Sequence, residues 1–194
     1  MCDPKQATPG EPTWCNGGIP QRVDLDAHAA KVARSVTDAI PDPNFAGLAV
    51  IDFETWQPTW SWSGCDGTPA AVPVCAASLQ RVKRANPTWN ASAVAIEAER
   101  QWGEAAMSFM TRTIEAGRSA RPNAKWSFYD YPSCGDAAGE YGGADTSCPS
   151  GMQEGNEKLA WMYNITVSAC SGNACILPRY SIIVRSCRFA VRAC

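Results

Sequence analysis

Histidine is almost missing from this chain: His28 is the single one. It falls in the middle of a helical pattern, so a Ser-His-Asp or Cys-His catalytic site has little support; the residue reads as helix surface or packing. The spacing C-x-x-C is also missing, although there are ten cysteines. The nearest pairs, Cys170/Cys175 and Cys187/Cys194, do not resemble a zinc knuckle, and neither a metal nor a cofactor is expected. Gly17-Gly18 and Gly142-Gly143 lack the G-K-[ST] or G-x-G-x-x-G context of a phosphate loop. No uninterrupted apolar run is long enough to span a bilayer. The 17 basic and 19 acidic residues are interspersed, for a net charge of −2, with no basic stripe. That argues against a nucleic-acid partner and leaves a polyanionic substrate open. The opening stretch MCDPKQATPGEPTWC is polar and Pro-rich with no apolar core, so it is not a signal peptide.

What is present is a chain of 194 residues, 45% of them hydrophobic, enough for one domain with a real core. Without metal spacing, the ten cysteines are best read as disulfides in an oxidising compartment. N-x-S/T triplets at Asn90 and Asn164 agree with that as glycosylation candidates. A secreted or lysosome-like location follows, with the chain expected to begin inside a longer precursor and to be monomeric.

Periodicity predicts a helix from Asp24, a fitting N-cap, through Leu25, Ala29, Val32 and Val36 to Ile40, ended by Pro41 and Pro43. The apolar run Gly47–Phe53 predicts a strand buried on both faces. Helices are expected over Ala77–Ala85, over about Ala91–Ala116 with Val94, Ala98, Trp102, Ala105 and Phe109 on one face, and over Met152–Tyr163. Strands are expected at Lys125–Tyr129 and Ile176–Val184. Helices alternating with strands mean α/β with a parallel sheet. A closed eight-fold barrel needs about 250 residues, so the expectation is part of a TIM-like (β/α) barrel or a small open sheet.

The sharpest chemical feature is Ile51-Asp52-Phe53-Glu54. Two acids close an otherwise apolar strand, and side chains at i and i+2 on a strand share a face. At the C-terminal end of a parallel strand that face opens on the catalytic mouth of an α/β fold. Where one of two close acids holds its proton, it can serve a leaving group as general acid. Ordinary glycosidases set their two carboxyl groups on opposite sides of the scissile bond, about 5–9.5 Å apart. Acids side by side on one strand fit a substrate-assisted route instead, with Asp52 orienting an acetamido group and Glu54 protonating the leaving oxygen. The rival reading is that both simply end the strand and cap the next segment. Trp56, Trp60 and Trp62 follow the pair, and Tyr129 and Tyr131 close the next strand, where aromatic rings could stack on sugar faces. Packing is the competing reading for Trp56 and Tyr129, and the preferred one for Trp102, Trp126 and Trp161.

Four segments in order resemble the hyaluronidases, glycoside hydrolase family 56. They are NGGIPQ from Asn16, GLAVIDFETWQP from Gly47, Arg121-Pro122 followed by WSFYDYPSC from Trp126, and CPSGMQEGNEKLAWMYN from Cys148. The likeness covers roughly residues 16–164. It implies a (β/α) barrel of the hyaluronidase type, no metal, and retaining hydrolysis of β-1,4 N-acetylglucosaminide bonds in hyaluronan, with chondroitin as a further candidate. It also implies Glu54 as proton donor, Asp52 and Tyr129 as holders of the acetamido group, and a Cys134–Cys148 disulfide. Trp56 and Tyr131 join Tyr129 as candidate substrate contacts. Gln57 stands where the family commonly has arginine. The family's first strand and its later strands have no counterpart here, so the chain is expected to be an incomplete copy: a partial catalytic barrel over 1–167 and a divergent tail over 168–194 that reads as aberrant. The alternative function is a catalytically inactive glycan-binding protein on the same scaffold. Chitin-type substrates rank lower, because the D-x-x-D-x-D-x-E signature is absent.

Overall fold

The computed structural model describes residues 17–133 and 148–166, and the backbone of strands at 169–171, 174–177, 180–185 and 190–192. Helix α1 runs Leu25–Ala39. Asp24 caps it as its sequence position predicts: Oδ1 accepts from the amides of Asp26 at 3.1 Å and Ala27 at 3.0 Å. Strand β1 follows at Leu48–Asp52. Helix α2 covers Pro73–Ala85, begun by a proline whose missing N–H is harmless in the first turn. Helix α3 covers Ala91–Ala120, with the Asn90 carboxamide oxygen accepting from the Ala93 amide at 2.8 Å. It runs four residues past its expected end and stops at Arg121-Pro122, where proline disfavours helical backbone in the residue before it.

Strand β2, Lys125–Phe128, pairs in parallel with β1, Leu48 opposite Lys125 and Ile51 opposite Phe128. On its other side β1 pairs in parallel with a short strand β6, Ala190–Arg192. The middle of β1 is buried, as expected of a strand covered on both faces. This is part of a (β/α) barrel. Two expectations change. The region Met152–Tyr163 is two helices, α4 at Ser150–Lys158 and α5 at Ala160–Ile165, broken at the buried Leu159. The run Ile176–Val184 is two strands, β4 at Ala174–Leu177 and β5 at Tyr180–Arg185. With β3 (Ala169–Ser171) they form an antiparallel sheet rather than a further parallel strand. Pro178 lies between them in sequence, and a proline cannot donate to a ladder.

The chain divides into two compact units. One comprises Met1–His28, Glu54–Arg112 and Cys194. Its core is aromatic: Trp56 packs edge-on against Trp102 and Phe109, with ring centres 5.9 and 5.1 Å away, and Trp60 against Trp102 at 5.5 Å. His28 is buried with its ring 4.1 Å from that of Phe109, which gives it the packing role. Cys65 and Cys75 are bonded and buried.

The other unit comprises Ala29–Phe53 and Thr113–Ala193. Trp126 is fully buried against α3 at Gly117, where a Cβ would meet the indole at 3.0 Å, so glycine is what lets the ring in. Arg121, nearly buried, donates from Nε to the Ile40 carbonyl at 2.7 Å and from Nη2 to the same oxygen, and from Nη1 to the Ala120 carbonyl at 2.6 Å. It thereby satisfies the carbonyl just past the end of α1, which would otherwise lack a partner.

Candidate active site

In the unit built on β1 and β2, parallel register brings two sequence-predicted residues to one edge. Ile51 lies opposite Phe128 and the Tyr129 amide donates to the Ile51 carbonyl at 2.8 Å. Asp52 and Tyr129 therefore both follow the last paired position, at the C-terminal ends of their strands. Tyr129 is half-buried and packs against Val50. Asp52 is half-buried, and its Oδ1 is a buried oxygen with no hydrogen-bond partner among the described residues. Leaving a buried acceptor unmade costs about 1–3 kcal/mol, so such an atom in a strand-end carboxylate is a mark of a site that expects a donor from elsewhere. Asp130 adds local strain next to Tyr129, with φ at +70°, in the left-handed region that few residues other than glycine adopt.

Beyond Tyr131 the chain is held by Asn156 on α4. Its Nδ2 donates to the Ser133 carbonyl at 2.7 Å while its Oδ1 accepts from the Ser133 amide at 3.0 Å. The Tyr163 hydroxyl donates to the same Oδ1 at 3.2 Å, and burial pushes that phenol above its ordinary pKa. Cys148 is disulfide-bonded; its expected partner Cys134 lies outside the described residues.

Glu54 begins the second stretch of the aromatic unit and is exposed. The strand stops at Asp52, so the strict alternation that would carry Glu54 onto the Asp52 face ends before reaching it. The loop after Glu54 is internally braced. The Ser63 hydroxyl accepts from the Gln57 amide at 3.0 Å and donates to the Gln57 carbonyl at 2.9 Å. Trp102 Nε1 donates to that same carbonyl at 3.0 Å. Amides of Ser63, Gly64 and Cys65 bond back to the carbonyls of Thr59, Ser61 and Trp60, and the Cys65–Cys75 disulfide ties the loop to the first turn of α2.

Trp56 and Tyr131, candidate substrate contacts by sequence, are both buried, and the ring of Trp56 lies edge-on to those of Trp102 and Phe109. Asn90 and Asn164 are both exposed. Among the described residues no helix is long and apolar enough to cross a membrane. The two clamps, Ser63 on Gln57 and Asn156 on Ser133, had no sequence signal: neither belongs to a motif or a hydrophobic period.

A family model described as hyaluronidase matches residues 5–170. A chondroitin hydrolase of Caenorhabditis elegans is 35% identical over 150 residues, covering 76% of this chain and 31% of that protein. Hyaluronidase-1 of Homo sapiens is 36% identical over 159 residues, covering 79% and 34%. Among solved structures, bee venom hyaluronidase in complex with a hyaluronic acid tetramer superposes with a TM-score of 0.66 at 29% identity, over 86% of this chain and 48% of that one. The chain spans about a third of the length of the curated relatives it matches.

Proposed function

Because the chain belongs to the hyaluronidase family of glycoside hydrolases, we propose that it cleaves β-1,4 N-acetylglucosaminide bonds of hyaluronan, with chondroitin as a second substrate, by a substrate-assisted, retaining mechanism. The observation that carries this reading is the buried Oδ1 of Asp52 at the end of β1, which has no hydrogen-bond partner among the described residues. An acetamido N–H is a donor of the kind that oxygen lacks. Accepting that proton in a hydrogen bond turns the acetamido carbonyl oxygen toward the anomeric carbon, and the anion beside it stabilises the positive charge that develops on the nitrogen. The carbonyl oxygen attacks as the glycosidic bond breaks, and Glu54 gives its proton to the departing oxygen. Water then opens the cyclic intermediate, returning its proton to Glu54, and two inversions amount to retention. Tyr129 holds the acetamido group from the neighbouring strand end.

The remaining features fit the same setting. Disulfides at Cys65–Cys75 and Cys148 suit a secreted or lysosome-like compartment, with the exposed Asn90 and Asn164 as glycan acceptors. The catalytic part is residues 1–167, and 168–194 is a divergent tail that returns to lay β6 beside β1.

The test is expression of the whole chain in an oxidising host, with soluble protein assayed for shortening of hyaluronan and of chondroitin. Glu54→Gln should lower turnover by about 10²–10⁴-fold while binding of hyaluronan is kept. A variant that keeps more than a tenth of wild-type turnover removes Glu54 as the acid. Folded protein that binds hyaluronan and never cleaves it would replace the enzyme with a glycan-binding protein.

A further inference from the structure

The loop that follows Glu54 has an anchor whose geometry singles out one residue. Gln57 is held by its backbone: its amide gives its hydrogen bond to Ser63 Oγ, and its carbonyl receives two, from Ser63 Oγ and Trp102 Nε1. One hydroxyl that accepts from and donates to the same residue closes the 57–63 turn, and the indole fixes that turn to α3, the longest helix among the described residues. Trp56, one residue earlier, is locked in the same place by edge contacts with Trp102 and Phe109. Glu54 itself is exposed and stands just before these fixed points. Exposure leaves the Glu54 side chain with little packing to fix it, so the residues that hold the chain on either side matter more for its position.

We propose that Ser63 and Trp102 are positioning residues for the Glu54 carboxyl, acting through the backbone of Gln57. The proposal rests on the reading of Glu54 as the proton donor. The three bonds of the anchor are made to the main chain of Gln57, a partner that every residue type offers. A carboxylic acid must lie within hydrogen-bond reach of the leaving oxygen, and a misplacement of about 1 Å can lower a rate on the order of a hundredfold. Groups built on helices hold such positions better than loops do, and Trp102 lends the loop the rigidity of α3.

The experiment uses the whole chain with Ser63→Ala, Ser63→Thr and Trp102→Phe, each with its melting temperature recorded. Hyaluronan cleavage is expected to fall at least about tenfold in kcat for Ser63→Ala and Trp102→Phe, with KM within about twofold of wild type, because substrate binding is untouched. Ser63→Thr keeps the hydroxyl and should restore kcat. A second readout needs no turnover. In isotope-labelled protein, Ser63→Ala should speed hydrogen exchange of the Gln57 amide and shift the side-chain carboxyl resonance of Glu54, and Ser63→Thr should reverse both. Wild-type kcat together with an unmoved Glu54 resonance in Ser63→Ala and Trp102→Phe overturns the proposal. Were the wild type inactive, or active after Glu54→Gln, the acid reading would fall by itself. The carboxyl resonance would then still decide whether the anchor positions Glu54.

Discussion

Asp52 should be a residue that the fold is better off without. Its Oδ1 is buried with no partner among the described residues, at the end of a strand whose middle is covered on both sides. A buried acceptor without a hydrogen bond forfeits about 1–3 kcal/mol relative to the same group in water. Asp52→Leu replaces the carboxylate by an apolar fork of similar shape, so that deficit disappears. The variant should unfold at a free energy about 1–3 kcal/mol higher than wild type, and for a chain of this size each kcal/mol corresponds to roughly 2–4 °C in melting temperature. Urea titration followed by tryptophan fluorescence suits the measurement, since there are eight tryptophans and Trp126 is buried on β2, the strand beside that of Asp52. Turnover should collapse in the same variant, a trade of stability for activity that functional sites commonly show. A variant destabilised by about 1 kcal/mol or more would refute the reasoning, because the carboxylate would then be satisfied within the folded chain and would not be waiting for a substrate donor.

Two other expectations concern the frame around the site. Cys65 and Cys75 are separated by 10 residues, and loop-closure entropy for that span gives about 2.7 kcal/mol. Cys65→Ala with Cys75→Ala should lower the urea-unfolding free energy by that order, and a loss under about 0.5 kcal/mol would mean the loop is already ordered without the bond. Glu97 has its carboxyl held down to a pKa of about 2, first by its hydrogen bond from Arg100 and then by that from Gln101. A depressed folded pKa contributes stability that is present above the ordinary value of 4.5 and lost as pH falls toward 2. The stability difference between wild type and Glu97→Gln should therefore shrink as pH falls across that window, and above it should shrink on raising salt, since the pair lies at the surface. A difference flat in pH would disprove the link.

The parts legible in sequence are those governed by short-range rules. Asp24 reads as a cap because its carboxylate needs only the next two or three amides, and the structure has those bonds. The buried strand before Asp52 reads from an apolar run after Gly47, and the arrival of Tyr129 at the same edge follows from parallel pairing. One small error lies in the choice of helical step. A step of three from Trp102 puts Ala105 on the buried face of α3, but Ala105 is half-buried and a step of four reaches Ala106, which is fully buried. What could not be read are contacts with no period. Ser63 finds Gln57 within a loop, and Asn156 finds Ser133 across 23 residues. Their partners are backbone atoms, which every residue has, so side-chain identity carries no hint of the match. The fate of the Glu54 side chain is illegible for a related reason: alternation applies only while the strand lasts, and β1 ends at Asp52.

The grip of Arg121 on Ile40 also has a meaning in time. The two residues are 81 apart in sequence. While the chain is being made, α1 can coil as soon as its own residues emerge, but the Ile40 carbonyl just past its end waits for Arg121. At roughly 5–20 residues per second, a separation of 81 leaves that helix end open to water for about 4–16 s. During that interval β1 exists without β2, its apolar run Leu48–Ile51 unpaired on the side β2 will take. Arg121 and β2 leave the ribosome almost together, so the residue that finishes the helix arrives with the strand that covers the sheet. A synthesis pause placed between Asp52 and Arg121 would prolong the time that this edge of β1 stays unpaired, whereas one placed after Phe128 would leave open only the edge that β6 takes.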